Sequence, residues 1–367
     1  MIDWLEQLTA LPSVAGHEDA VIGWVRRWVG RRDDLRVVSD PGGNLVITQK
    51  RRSRRVPVWI TAHMDHPGFV LKDDLGRGRV AYEFRGGVLD AYFIGSRVLF
   101  FGKDGHRSGQ VESLERAGRD RSGVIQLSRS GAVVQPGDIG RWALPARQLG
   151  IRGGRLYAPA CDDLAGVAAA LTALDRLRRV PAAGHAGVLL TRAEEVGFVG
   201  AIAAASDGTI APETRLICVE MSRSFPESPI GGGPIVRVGD ASSVFSPWLT
   251  DAMAQAGRAL ADRSSTFTFQ RKLMAGGSCE ATAFSAYGFE STCLCLALGN
   301  YHNMGDLTGV EAGKSQATVA PEVISIDDYR GLVKLLVRSV ELAEQGRNVL
   351  RDDLDAHYLG LKGMLSS

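Results

Sequence analysis

Apolar and polar positions change period along this chain, and the changes divide it. Residues 2–30 repeat apolar side chains at helical spacing, with Val21, Trp24, Val25 and Trp28 on one face. Leu11-Pro12-Ser13-Val14-Ala15-Gly16 breaks that stretch into two helices. Arg36-Val37-Val38 and Asn44-Leu45-Val46-Ile47 read as strands around the turn Asp40-Pro41-Gly42-Gly43. Val56-Pro57-Val58-Trp59-Ile60-Thr61 is an apolar strand that delivers His63 at its carboxyl end. Between residues 67 and 155 short β-like runs, such as Arg79 to Phe84 and Arg97 to Phe101, alternate with Gly-rich turns, and no amphipathic helix is evident. Helix–strand alternation returns at residue 160. A helix apolar nearly all round runs from Leu164 to Leu177, strands follow at 187–191 and 216–219, a helix near 246–261, a strand at 293–298 and an amphipathic helix from Asp327 to Leu342.

This pattern predicts an α/β fold, a mixed but parallel-rich sheet sandwiched by helices, encoded in two pieces, residues 1–66 and 156–367. A small all-β, barrel-like domain at 67–155 is inserted between them and is a natural surface for oligomerisation. The basic run Arg51-Arg52-Ser53-Arg54-Arg55 lies between two apolar strands and reads as a solvated hairpin loop.

Composition narrows the function. Hydrophobic residues make up 45% of the 367 and charged residues 23%, the balance of a soluble globular protein. A net charge of +2 argues against nucleic acid or anionic lipid as the main partner. No run of apolar residues is long enough to span a membrane, and the acidic N-terminal stretch does not read as an export signal. Five scattered cysteines, Cys161, Cys218, Cys279, Cys293 and Cys295, suit reduced thiols in a cytoplasmic protein, with Cys293 and Cys295 on one face of a strand.

Five short segments carry the chemistry: Thr61-Ala62-His63-Met64-Asp65, Ala160-Cys161-Asp162-Asp163, Ala193-Glu194-Glu195, Val219-Glu220 and Tyr301-His302. In open α/β sheets ligand sites gather at the carboxyl ends of the strands, and all but Asp162 are expected just past a strand. His63 offers a neutral imidazole suited to zinc or cobalt, and Asp65 is placed to hold its other ring nitrogen. Asp162 can share its two oxygens between two ions. Adjacent carboxylates at Glu194 and Glu195 repel unless a positive charge lies between them, which a ligand (Glu195) beside a general base (Glu194) resolves. Taken alone, each segment has an ordinary reading as surface pair, helix cap or acidic turn. Together they give a set for two divalent ions sharing one carboxylate. A bound metal lowers the pKa of water from about 15.7 to about 7, which points to metal-assisted hydrolysis. No Gly-x-Ser-x-Gly or His-Glu-x-x-His motif offers another route.

At these residues the chain resembles the co-catalytic metallo-aminopeptidases of the tetrahedral type, the family that includes glutamyl aminopeptidases. Carrying the resemblance are Leu11 to Glu18, Ala62-His63-Met64-Asp65, Cys161 to Gly166, Glu194 to Ala201 and Asn300-Tyr301-His302, with looser matches at Gly231 to Pro234 and Gly276-Gly277-Ser278. The position of the β insert, before the Asp162 segment, agrees. The resemblance implies that His63, Asp162, Glu195, Glu220 and His302 bind two divalent ions, zinc or cobalt. His63 and Glu220 would hold one, Glu195 and His302 the other, with Asp162 shared and Glu194 as base. It also implies peptide substrates and a homo-oligomer, commonly a dodecamer enclosing its active sites. The chain departs from the family at His66, where an acidic residue is usual, at Glu220, where Asp is common, and at Ser278-Cys279-Glu280, which replaces Thr-Asp-Ala. Three readings stay open on sequence: N-terminal trimming of peptides, hydrolysis of small amides by a deacylase or carboxypeptidase, and a silent oligomeric scaffold.

Overall fold

A computed structural model describes residues 1–51, 53–344 and 349–365. Helices α1 (Ile2–Thr9) and α2 (Asp19–Gly30) bury Leu5, Leu8, Val21, Val25 and Trp28. Strands β1 (Leu35–Ser39) and β2 (Leu45–Gln49) pair antiparallel across a turn in which Gly43 takes φ +82°. Strand β3 (Val58–His63) follows, and His63 is its last residue.

The chain then closes a barrel. Strands β4 (Gly68–Gly76), β5 (Arg79–Arg85), β6 (Arg97–Gly102), β7 (Gly105–Ala117), β8 (Asp120–Leu127) and β9 (Ile139–Trp142) run in the order β4-β5-β8-β7-β6-β9, and β9 pairs back onto β4. Alternate residues point inward, as the period of β5 (Val80, Tyr82, Phe84 buried) shows. Phe69, Phe84, Phe93 and Trp142 fill the interior with edge-to-face contacts, the Phe69–Trp142 pair at 4.8 Å. At Gly140 a Cβ would stand 2.9 Å from the Phe100 ring, so only glycine lets β9 approach. Strands β10 (Gly150–Arg152) and β11 (Arg155–Ala158) lead back to the larger layer.

That layer holds α3 (Leu164–Leu177), β12 (Ala186–Thr191), α4 (Val199–Ser206), β13 (Arg215–Arg223), β14 (Ile235–Gly239), α5 (Pro247–Ala261), β15 (Gln270–Leu273), α6 (Glu280–Ala286) and β16 (Ser291–Leu298). Next come β17 (Met304–Gly305), α7 (Leu307–Glu311), β18 (Thr318–Val319), β19 (Glu322–Ser325), α8 (Ile326–Glu344) and α9 (Val349–Leu361). The main sheet runs β1-β2-β12-β3-β13-β16-β14-β15. Its centre, β12-β3-β13-β16, is parallel throughout, while β2 and β14 join antiparallel. Both faces are covered. Leu294, Leu296 and Leu298 of β16 enter the cluster built with α3, α5 and α8, and Cys293, Cys295 and Ala297 enter the one built with α4 and α6. This is the α/β architecture that the pattern predicts.

Three local expectations differ. Strands β2 and β3, on either side of the basic run, are not hairpin partners, because β12 lies between them. Glu220 is not past its strand: β13 continues to Arg223, so Glu220 stands inside it. Helix α4, in the Ala-rich stretch after Gly197, is not foreseen by periodicity, because it is apolar on nearly every side.

Candidate metal centre

Because β3, β12, β13 and β16 are parallel, their carboxyl ends share one edge, and the candidate residues converge there. His63 ends β3 and Thr191 of β12 lies opposite it, so the loop after β12 brings Glu194 and Glu195 alongside. Glu220 comes from β13, next to β3. His302 follows β16 in a short turn with Asn300, His302 and Asn303 all at positive φ. Asp162 precedes α3. At Gly166 a Cβ would stand 2.0 Å from the neighbouring Asp163 carboxylate, so a glycine there lets the acidic pair tuck against the helix.

Asp162 turns one oxygen toward each histidine. Its Oδ1 is 3.4 Å from His63 Nε2 and its Oδ2 is 3.4 Å from His302 Nε2. Glu195 Oε1 is 3.2 Å from His302 Nε2, and Glu220 Oε1 is 3.9 Å from His63 Nε2. Glu194 Oε2 stands farthest, 4.0 Å from His63 Nε2. The donor atoms fall into two compact groups, His63 with Glu194 and Glu220, and Asp162 with Glu195 and His302, each within 4.8 Å. Two donors at about 2.0–2.1 Å on one tetrahedral zinc stand about 3.4 Å apart, the separation seen here. Asp162 Oδ1 and Glu195 Oε1 are buried without a hydrogen-bond partner. A buried carboxylate oxygen left unpaired is costly, and a cation is the species that removes the cost. The residues therefore fit a pair of divalent ions.

Charges at the site mirror this. Burial pushes Glu194 and Glu220 well above the usual carboxylate range, reinforced by their acidic neighbours and opposed by His63. Burial also pushes Asp162 up, but His302 and His63 outweigh it and hold the carboxyl far below its ordinary value. For both histidines burial lowers the pKa, and the surrounding carboxylates, Glu194 at His63 and Glu195 at His302 foremost, more than reverse it.

The profile of the M42 glutamyl aminopeptidases matches residues 128–315, a stretch that contains Asp162, Glu194, Glu195, Glu220 and His302. The chain belongs to the M42 glutamyl aminopeptidase family. It is thus a peptide hydrolase of a metal-dependent aminopeptidase family. Solved structures share the fold at low identity. The TET1 peptidase of Pyrococcus horikoshii, described as assembling into a tetrahedron or a large octahedral shell, is 20% identical with a TM-score of 0.70, covering 92% of this chain and 98% of that one. An aminopeptidase of Desulfurococcus kamchatkensis is 20% identical with a TM-score of 0.70, covering 94% and 96%. Yeast aminopeptidase 1 is 13% identical with a TM-score of 0.64, covering 94% and 97%.

Around the candidate centre a set of buried acids holds the backbone of the converging residues. Asp65 accepts from the Glu194 and Glu195 N–H groups at 2.9 and 3.1 Å, while His63 Nδ1 lies 3.1 Å from the Asp65 carbonyl and 3.5 Å from its carboxylate. Glu18 accepts from the Gly16 and Ala193 N–H groups and from Arg192 Nε. Glu322 ties three backbone groups together, accepting from Cys161 N at 2.6 Å, Asp162 N at 3.0 Å and His302 N at 2.9 Å. Sequence reasoning missed Glu322. Its only signal is an acid in the apolar run Pro321-Glu322-Val323-Ile324. His66, the departure noted above, is buried with Nδ1 2.6 Å from the Asp162 carbonyl and Nε2 3.1 Å from Asn303 Oδ1. Asn303 in turn donates to the Pro159 and Ala320 carbonyls. The barrel contributes too: the Gly87 carbonyl lies 2.6 Å from His302 Nδ1. Cys161 is fully buried and its thiol is pushed well up by burial, the character of an inert packed thiol.

Two hollows meet at the centre. One is a small cavity of about 40 Å³ walled by Phe225, Arg237, Met274 and Ser278 together with candidate ligands from both groups. The other is a wide cleft between the barrel and the main layer. Glu195 lines both.

Proposed function

We propose that this chain is a dinuclear metallo-aminopeptidase that removes N-terminal residues from peptides, with His63, Asp162, Glu195, Glu220 and His302 holding two divalent ions, zinc or cobalt. The observation that carries the reading is Asp162, whose two oxygens each face a different histidine at 3.4 Å. His63 and Glu220 would hold one ion, Glu195 and His302 the other. Such ions, when bound, supply Lewis acidity for the scissile carbonyl and acidify water.

Glu194 is the base in this reading. It has the longest reach to His63 among the contacts described above, and burial raises its proton affinity above that of an ordinary carboxylate. It takes a proton from water and returns it to the leaving amine. Asp65 fixes the backbone of the Glu194-Glu195 pair, and so sets where that proton is taken. The small cavity, walled by Phe225, Met274 and Ser278, suits one N-terminal side chain, and the wide cleft that Glu195 also lines receives the rest of the peptide.

The five buried, unpaired cysteines fit a cytoplasmic enzyme, and no described helix is long and apolar enough to cross a membrane. We take residues 67–155 as an inserted domain and the working form as a homo-oligomer, a dodecamer by likeness to its family. Leu354, Tyr358, Leu359 and Leu361 of α9 are exposed, an apolar surface that self-association would cover. Sedimentation of the purified protein tests the assembly.

The activity is tested with free-amine and N-acetylated versions of one peptide set on protein loaded with Zn²⁺ or Co²⁺, with Glu194→Gln as control. Cleavage confined to free-amine peptides and lost in the variant is expected. Cleavage of blocked peptides, or none of either set, would overturn the reading.

A further inference from the structure

The cleft between barrel and main layer has a volume of about 890 Å³ and opens directly onto the metal centre. Two contacts fix that junction. Glu195 lines the cleft, and Gly87, also on its wall, places its carbonyl 2.6 Å from His302 Nδ1. From there the cleft runs outward along β5 and the β7–β8 hairpin, and its charge is lopsided. Lys72, Arg85, Arg116, Arg119 and Arg121 all line it. Glu83 serves both Lys72 (3.0 Å) and Arg85 (2.7 Å), and Asp90 serves both Arg121 (2.8 Å) and Arg116 (3.4 Å). Two carboxylates thus answer four cations. Arg119, exposed at the hairpin tip, has no ion-pair partner among the described residues, and the one other acid on the barrel wall is its neighbour Asp120.

We propose that this cleft is a carboxylate-binding groove for the substrate beyond the scissile bond, so that the enzyme favours peptides carrying a free C-terminal carboxylate or an acidic residue downstream of the N-terminus. The inference rests on the reading of the centre as the place where N-terminal residues are cut. With the first residue in the small cavity, the remaining chain leaves through the wide cleft that Glu195 also lines. Guanidinium groups that are incompletely neutralised present planar, paired N–H donors, which match a carboxylate in charge and shape. The groove is wet and exposed, so the contact sets affinity and capture, not the chemical step.

The test uses three peptides with the same first residue: one ending in a C-terminal amide and otherwise neutral, the same peptide with a free C-terminal carboxylate, and an amidated one with an internal Glu. An aminoacyl anilide, which ends at the scissile bond, is the reference, and each kcat/KM is read as a ratio to it. The wild-type protein is expected to favour both carboxylate peptides over the neutral one through a lower KM with similar kcat. If only the C-terminal carboxylate is recognised, the free-carboxylate peptide alone is favoured; if only acidic side chains are, the internal-Glu peptide alone. Arg119→Gln is expected to shrink the preference about 3-fold and Arg119→Glu about 10-fold. Raising salt toward 1 M, where screening acts over about 3 Å, erases it in the wild type without any substitution. Equal ratios for all three peptides, or a preference that neither Arg119 variant nor salt alters, would overturn the proposal. Failure to cleave the anilide marks instead a failure of the aminopeptidase reading.

Discussion

His63 and Glu220 stand on adjacent strands of the parallel sheet, whereas Glu195 and His302 stand on loops whose backbones sit in unfavourable regions. On the strand side β3 and β13 are held by a ladder of hydrogen bonds and buried on both faces. On the loop side Ala193, Asn300, His302 and Asn303 all have φ between +52° and +63°. Non-glycine residues in that region cost on the order of 1 kcal/mol or more each and persist only where their surroundings fix them. Here the surroundings are Glu18, Asp65, Glu322 and the Gly87 carbonyl of the barrel. One half of the centre is therefore set by the fold itself, and the other by a few buried carboxylates that grip backbone N–H groups. The two halves meet at Asp162.

This comparison can be broken at several points. Replacing Asp162 by Asn removes the group both halves share. Equilibrium dialysis should then show loss of both ions, and turnover should fall about 10³-fold or more, since each ion contributes several kcal/mol. Glu194→Gln should leave two ions bound while lowering kcat by about 10²–10⁴-fold; loss of an ion would instead make Glu194 a ligand alongside His63 and Glu220. Glu322→Gln acts on His302 in the loop half and on the backbone of Asp162, which both halves share. It should weaken the class of metal site that uses His302 by about 10–100-fold and the other class less, as calorimetric titration would resolve.

The smallest effect on the metals should come from Asp175, at the end of α3, which binds Arg32, Arg178 and Arg179 at 2.8–3.0 Å. Burial raises its pKa, but Arg32 and Arg178 outweigh that and hold it below the usual carboxylate range. A depressed folded pKa gives stability that is present above the unfolded value of about 3.9 and lost as pH falls through the folded one. Asp175→Asn should therefore cost about 2 kcal/mol at neutral pH, discounted from a fully buried pair. Its denaturation midpoint should converge with the wild type as pH drops below about 4, with metal affinity unchanged at neutral pH.

How far the sequence reveals the site follows the same division. An apolar run that stops at a histidine or an acid is a pattern, and His63, Glu194-Glu195 and His302 were legible for that reason. Glu220 was legible as a candidate but not in its place, because an acid can sit inside a strand that ends at a polar edge. Glu322, Asn303 and the role of Glu18 were not legible. They act on backbone N–H and C=O groups of residues far away in sequence, and such a contact leaves no periodic trace. Helices α1, α2 and α8 could be read from their 3.6-residue spacing, whereas α4 could not. The strand order of the barrel could not, since period alone does not say which strand pairs with which.

A crystal structure of Zn²⁺-loaded protein, with anomalous differences collected at the zinc edge, tests the central claim most directly. The account predicts two peaks, about 3.5–4 Å apart, one beside His63 and Glu220 and the other beside Glu195 and His302, with an Asp162 oxygen on each. A single peak, or two that do not share Asp162, would contradict it.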